Sequence, residues 1–190
     1  MILQDWLYLL FIILLIIVSA FFSGSETAIT AVSKARILSK VKQGIKKASF
    51  VENLINKKED LITSLLLANN LVNVLSSALA TAFLYKVFGN SGIIYATLIM
   101  TIIIVIFAEV LPKTYAINRP TRTALAIGKI LSLLVFVLSP LVKLINLFVN
   151  FFLKNFIKKN LKFMNKQIEE ELKGTIDLYG TSDSDTKQEK

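Results

Sequence analysis

Long apolar blocks alternate with short charged ones along this chain, and the hydrophobicity comes in runs rather than with a helix or strand period. Residues 6–32 are apolar except for Ser19, Ser23, Ser25, Glu26, Thr27 and Thr30. As a helix that block is roughly 40 Å long, enough to cross a hydrocarbon core of about 30 Å with some tilt. Residues 61–88 predict a second span and residues 93–117 a third, joined by Gly89-Asn90-Ser91-Gly92, which reads as a tight turn. Residues 124–153 are also long enough, but they hold Lys129 and Lys143 and are interrupted at Ser139-Pro140.

The polar segments give these spans a direction. Residues 34–60 carry Lys34, Arg36, Lys40, Lys42, Lys46, Lys47, Lys57 and Lys58, and their helical pattern is interrupted only at Gly44. Lysine and arginine concentrate on the cytoplasmic side of membrane proteins, so this segment is expected inside, as an amphipathic stretch on the membrane surface. A second basic group, Lys154, Lys158, Lys159, Lys162 and Lys166, follows the fourth apolar block. Keeping it inside as well requires three full spans with the N-terminus outside and the C-terminus cytoplasmic. Residues 124–153 are then re-entrant or interfacial. From Ile168 the chain turns acidic and then rich in Gly, Ser, Thr and Asp, which predicts a linker or disordered end. The expected division is a membrane domain over residues 1–155 and a cytoplasmic basic-to-acidic tail over 156–190. Val18-Ser19-Ala20 resembles a signal-peptidase site, but Asp5 and the lack of a preceding positive charge favour an uncleaved span.

Composition agrees with an all-α integral membrane protein: 54% of the 190 residues are hydrophobic and the mean hydropathy is +0.63. The chain has neither Cys nor His, which removes disulfides, thiolate and imidazole metal sites, and Cys or His nucleophiles. The net charge of +9 sits beside the apolar runs, where it sets topology and meets anionic lipid rather than nucleic acid. Nothing resembles a phosphate loop or a catalytic triad, so no enzyme is expected.

The candidate chemistry lies inside the apolar blocks. Glu109 falls within residues 93–117, where a carboxylate is costly to bury and by default marks an ion or proton path. Ser25 stands nine residues before Lys34, Asn69 nine after Asp60 and Glu109 ten before Arg119. At about 1.5 Å per residue each lies roughly 13–15 Å deep. Ser23 and Asn73 lie a little deeper, so three helices bring oxygen-bearing side chains near the midplane. Asn69 and Asn73 are four apart and share a helix face. Pro112 cannot donate to the carbonyl of Ala108, which frees an acceptor beside Glu109. Gly24 permits close approach of another helix or an ion. Hydroxyls, amide oxygens, carbonyls and one carboxylate are hard donors suited to Mg²⁺, Ca²⁺ or Na⁺.

Each of these residues can also serve structure alone. Single Ser and Asn side chains commonly tie helices together, Glu109 can pair with Lys113, and Glu26 with Lys34 or Lys113. The small-residue stretch over residues 76–82 reads as a helix-packing or dimer surface.

Three motifs in order carry a family resemblance: Phe22-Ser23-Gly24-Ser25-Glu26-Thr27-Ala28, Asn69-Asn70-Leu71-Val72-Asn73 and Glu109-Val110-Leu111-Pro112-Lys113-Thr114. Over residues 7–153 the chain resembles the transmembrane domain of the CNNM/CorC magnesium transporter family, the HlyC/CorC type. The resemblance implies a homodimer in the cell membrane with three spans and juxtamembrane helices per subunit. It implies Mg²⁺ efflux with Na⁺ as counter-ion, and Ser23, Ser25, Asn69, Asn73 and Glu109 as metal ligands, with either or both serines binding. Asn70 departs from the threonine common in relatives, but it lies off the Asn69–Asn73 stripe. A pair of cytoplasmic CBS domains is also expected in relatives, and this chain stops in the acidic stretch that would precede them. A Mg²⁺ transporter is therefore expected; the other reading is a Mg²⁺-binding membrane sensor or scaffold that modulates a separate transporter.

Overall fold

In a computed structural model, the backbone is described for residues 2–185 and the side chains for residues 5–152. Among the described residues the chain is helical, with no strand: α1 Ile2–Ala31, α2 Lys34–Lys42, α3 Lys46–Asn56, α4 Lys58–Phe88, α5 Ser91–Ile103, a π-helical segment Ile104–Val110, α6 Leu111–Asn118 and α7 Pro120–Asp185. The chain forms two compact units, Met1–Val142 and Lys143–Lys190. The described backbone of the second is helical, with Phe148, Phe151 and Phe152 in ring contact at centroid distances of 4.8 and 5.7 Å.

In the first unit α1 packs along α4 and along the π segment and α6, while α4 packs on α5. The predicted turn between the second and third spans is present: α4 ends at Phe88 and α5 begins at Ser91. The basic segment is a helical pair broken where the sequence predicts. Both turns use glycine at positive φ, Gly44 at 77° and Gly89 at 61°, a region that costs an L side chain energy. Ser33 caps α2 by accepting from the backbone N–H of Arg36. Asp5, in the first turn of α1, accepts a hydrogen bond of 2.6 Å from Lys86 near the end of α4, as two antiparallel helices require.

The α2–α3 pair has more to do than lie on a surface. Ile37, Ala48, Val51 and Leu54 are buried with Ile29 of α1 and Val32 just after it, Leu61 and Leu65 of α4, and Ala124 and Leu131 of α7. Its apolar face is covered by protein, and its lysines remain largely exposed. A smaller cluster joins Ile12, Ala80 and Met100. Part of the small-residue stretch thus packs within the chain: Ser76 and Ala80 are buried, while Ala78 and Ala82 face outward.

The fourth block departs from expectation only in running unbroken through Ser139-Pro140, which excludes the re-entrant form and not the interfacial one. No reversal interrupts it: α7 is one helix with Pro140 inside, and Pro120–Phe152 is long and apolar enough to cross a membrane, as are Asp5–Ala31, Lys58–Phe88 and Ser91–Asn118. Proline forfeits one backbone hydrogen bond and crowds the preceding turn, but the long apolar flanks can carry the helix past it. The backbone also stays helical to Asp185, where a linker is predicted from Ile168. The start of that stretch, Glu169-Glu170-Glu171-Leu172-Lys173, consists of good helix formers. Its side chains, and residues 186–190 altogether, lie outside the described residues.

Candidate metal site

The middle of α1 meets α4 through oxygen. The Ser19 hydroxyl, fully buried, lies 2.7 Å from the Asn69 side-chain carbonyl oxygen and 2.6 Å from that of Asn73. The i, i+4 spacing of the asparagines brings both oxygens to one side of α4, as their positions predict. Ser76 donates to the backbone carbonyl of Asn73 within α4, at 3.0 Å. Asn70 is exposed and takes no part.

Ser23 is one turn beyond Ser19 on the same face of α1. It is wholly buried, and among the described residues its hydroxyl has no hydrogen-bond partner. A buried unpaired hydroxyl costs about 1–3 kcal/mol, so its presence needs a physical cause. Ser25 is also buried and unpartnered, but two residues along a helix turn the side chain by about 200°. Ser25 lines a cleft of about 390 Å³ on the far side of α1, with Phe21, Gly24, Phe107, Pro112 and Tyr115 among its walls. The two serines of the first motif therefore do not face the asparagines together; Ser23 shares their side and Ser25 does not.

Gly24 brings the third motif in. A Cβ on Gly24 would lie 3.3 Å from both the Cβ and the carbonyl oxygen of Pro112, so α1 and α6 approach closely here and a larger residue needs Pro112 to yield by a few tenths of an ångström. The chain reaches Pro112 through the π-helical segment Ile104–Val110, in which the Leu111 N–H bonds to the Ile106 carbonyl, five residues back. Such segments are rare and recur at functional sites. Glu109 lies within it, about one turn before Pro112. Since α4 runs against both its neighbours, α1 and the third span are parallel. Glu109 therefore stands about one turn back from Gly24, at the level of α1 between Ser19 and Ser23. It is half-buried, and among the described residues it makes no ion pair with Lys113; nor does Glu26 pair with Lys34 or Lys113.

Among the described residues no three Asp, Glu, His or Cys side chains come together. The donors that the α1–α4 seam brings together are neutral oxygens. Ser19 is the residue that sequence reasoning leaves out of the candidate ligands, noting it only as a polar position in the first apolar block and within Val18-Ser19-Ala20. Its i, i+4 relation to Ser23 mirrors that of Asn69 to Asn73 and was the available signal.

Residues 10–189 match the cyclin M transmembrane N-terminal domain. The chain belongs to the CNNM family. The UPF0053 inner membrane protein YfjD of Escherichia coli is 36% identical over 160 residues, 84% of this chain and 37% of YfjD. A UPF0053 protein of Haemophilus influenzae is 38% identical over 141 residues, 73% of this chain and 34% of the relative. A putative chloroplastic DUF21 domain-containing protein of Arabidopsis thaliana is 28% identical over 131 residues. The chain thus spans about a third of the length of the first two relatives, each of which carries further sequence.

Proposed function

We propose that this CNNM domain is a Mg²⁺ transporter that works as a homodimer in the cell membrane and exports the ion by alternating access coupled to Na⁺. The observation that carries the reading is the convergence of Ser19, Asn69 and Asn73 in the middle of two apolar helices, with Ser23 orphaned beside them. Hard oxygen donors suit Mg²⁺, and a single carboxylate leaves its charge partly uncompensated, so that the ion can leave again. Binding at the midplane between helices is also where secondary transporters hold their substrates. Glu109 supplies charge, Asn69 and Asn73 supply amide oxygens, and Ser23 is favoured over Ser25 because it shares their side of α1.

The test is Mg²⁺ flux from proteoliposomes with and without an opposing Na⁺ gradient, beside Glu109→Gln. Na⁺-dependent flux that the variant loses while remaining a folded dimer supports the exchanger; equal flux in both defeats it. The shared length of only a third with the first two relatives favours one second reading, a Mg²⁺-binding sensor that acts with other domains. It predicts Glu109-dependent Mg²⁺ binding without flux.

In the same reading the N-terminus faces outward and α2–α3 inward. The chain has no cysteine, so single thiols report side without background. Asn90→Cys in intact cells is expected to react with a membrane-impermeant reagent, and Lys47→Cys only after permeabilisation. The opposite pattern inverts the topology.

A further inference from the structure

We propose that the cleft beside Ser25 seats an anionic phospholipid, with its phosphate at the start of α7 and its ester and upper acyl chain inside; the inference uses neither the ion site nor a direction of transport. Phe21, Phe107, Leu111 and Ile127 give the cleft an apolar lining, and no Asp or Glu contributes to it. In a bilayer such a hollow fills with lipid chain. One wall group does not suit a purely apolar filling: Ser25 is 2% exposed, and among the described residues its hydroxyl has no partner. A buried donor left so is costly, so the occupant should bring an acceptor. Thr123 also lines the cleft, but its hydroxyl already donates to the Arg119 carbonyl at 3.0 Å. Through Thr123 the cleft reaches the first turn of α7, which begins at Pro120. The first amides of a helix lack partners within it and sit at the positive end of its dipole, which favours an anion. Arg119 and Arg122 flank this turn; both are exposed, and among the described residues neither forms an ion pair. Positive charge, a single buried donor and an apolar wall thus succeed one another as phosphate, ester and chain do in a phospholipid. The depths agree. Gly24 lies against Pro112, so Ser25 is close to the level of Pro112, seven residues before Arg119. That is roughly 10 Å along the helix, and the headgroup layer of a bilayer is roughly 5–8 Å thick on each side. With the arginines among the headgroups, Ser25 lies just inside the hydrocarbon, where an ester carbonyl can accept its proton.

The experiment uses the purified full chain in detergent with phosphatidylglycerol carrying a photoactivatable diazirine in its acyl chain, beside the phosphatidylcholine with the same chain. Wild type is expected to be labelled by the anionic lipid in preference to the zwitterionic one, and at cleft residues such as Phe107 and Leu111. Exposed apolar residues away from the cleft, such as Phe136 and Leu147, should take up label from both lipids alike. Unlabelled phosphatidylglycerol should compete, and inorganic phosphate should not, because the chain supplies much of the binding. Arg119→Gln and Arg122→Gln are each expected to lower phosphatidylglycerol labelling of the cleft about fivefold and to leave phosphatidylcholine labelling unchanged. Ser25→Ala is expected to fold, since its hydroxyl has no partner among the described residues to lose. It should weaken cleft labelling by either lipid about 2–10-fold, as for one hydrogen bond. An ether-linked phosphatidylglycerol, which lacks the ester carbonyls, should compete equally well in wild type and Ser25→Ala. A thermal melt gives a second readout: added phosphatidylglycerol should raise the melting temperature of wild type more than that of Ser25→Ala. Equal labelling of the cleft by the two lipids, label spread evenly over all lipid-facing residues, or competition by inorganic phosphate as strong as by the lipid overturns the proposal. So does a Ser25→Ala protein that keeps full labelling.

Discussion

From Ile29 to Val32, α1 ends among Ile37, Val51, Leu61 and Leu131, apolar side chains that leave almost no surface. Two turns earlier, from Ser19 to Ser23, the same helix meets its neighbour through hydroxyls and amides, one of them without a partner. The first region gathers five helices by packing alone. The second joins two helices by groups whose burial is costly and whose demands are only partly met. In a bilayer, interhelical hydrogen bonds average about 0.6 kcal/mol, so the polar seam is a poor way to gain stability. On the proposed ion site, stability and function occupy separate lengths of one helix, and substitutions should separate them.

The largest effect on stability is expected from the apolar cluster. Leu131→Ala removes a fully buried side chain that ties α7 to α2 and α3, and such truncations cost about 2–5 kcal/mol. A thermal melt in detergent should fall sharply, while Mg²⁺ affinity of the folded fraction stays as in wild type. A matching loss of affinity would show that the two regions are one.

Next comes the contact that joins them. Gly24→Val forces side-chain atoms against Pro112, where even a single Cβ would sit 3.3 Å from the proline carbonyl. Overpacking of this kind costs about 1–3 kcal/mol. Because Pro112 follows the π segment that holds Glu109, the variant should also weaken Mg²⁺ binding. Ion binding that survives a clear drop in melting temperature would detach Glu109 from the site.

How much of this the sequence announces follows the same division. Spans are legible because an uncharged apolar run longer than about 18 residues rarely forms anything but a membrane helix. The three motifs are legible because polar residues in such runs stand out one by one. Even the opposed faces of Ser23 and Ser25 follow from two steps of about 100°. What escapes depends on a neighbour. Ser19 acquires meaning only once the register of α4 sets Asn69 and Asn73 against it. The apolar cover on α2–α3 depends on where α7 begins, and the π segment shows in the sequence only as Pro112. Pro140 misleads because its local cost is real but smaller than what the surrounding helix supplies.

Asn73→Ala should have the smallest effect on the fold and one of the largest on the ion. Asn73 is half-buried, and its side chain shares the Ser19 hydroxyl with Asn69, so its removal leaves Ser19 a partner. The loss is one interhelical hydrogen bond, about 0.6 kcal/mol on average and less than 2 at most. Melting temperature and oligomeric state should barely move. The cation, in contrast, loses a neutral oxygen that it cannot replace from an apolar surround, and Mg²⁺ flux should vanish. Asn69→Ala makes the reciprocal test, because either asparagine alone satisfies Ser19 but neither alone satisfies an ion. Were the seam merely adhesive, the two single variants would be mild and only the double would fail, since Ser19 would then be left buried without an acceptor. Flux in the two single variants is therefore the measurement that tells an ion site from a hydrogen bond.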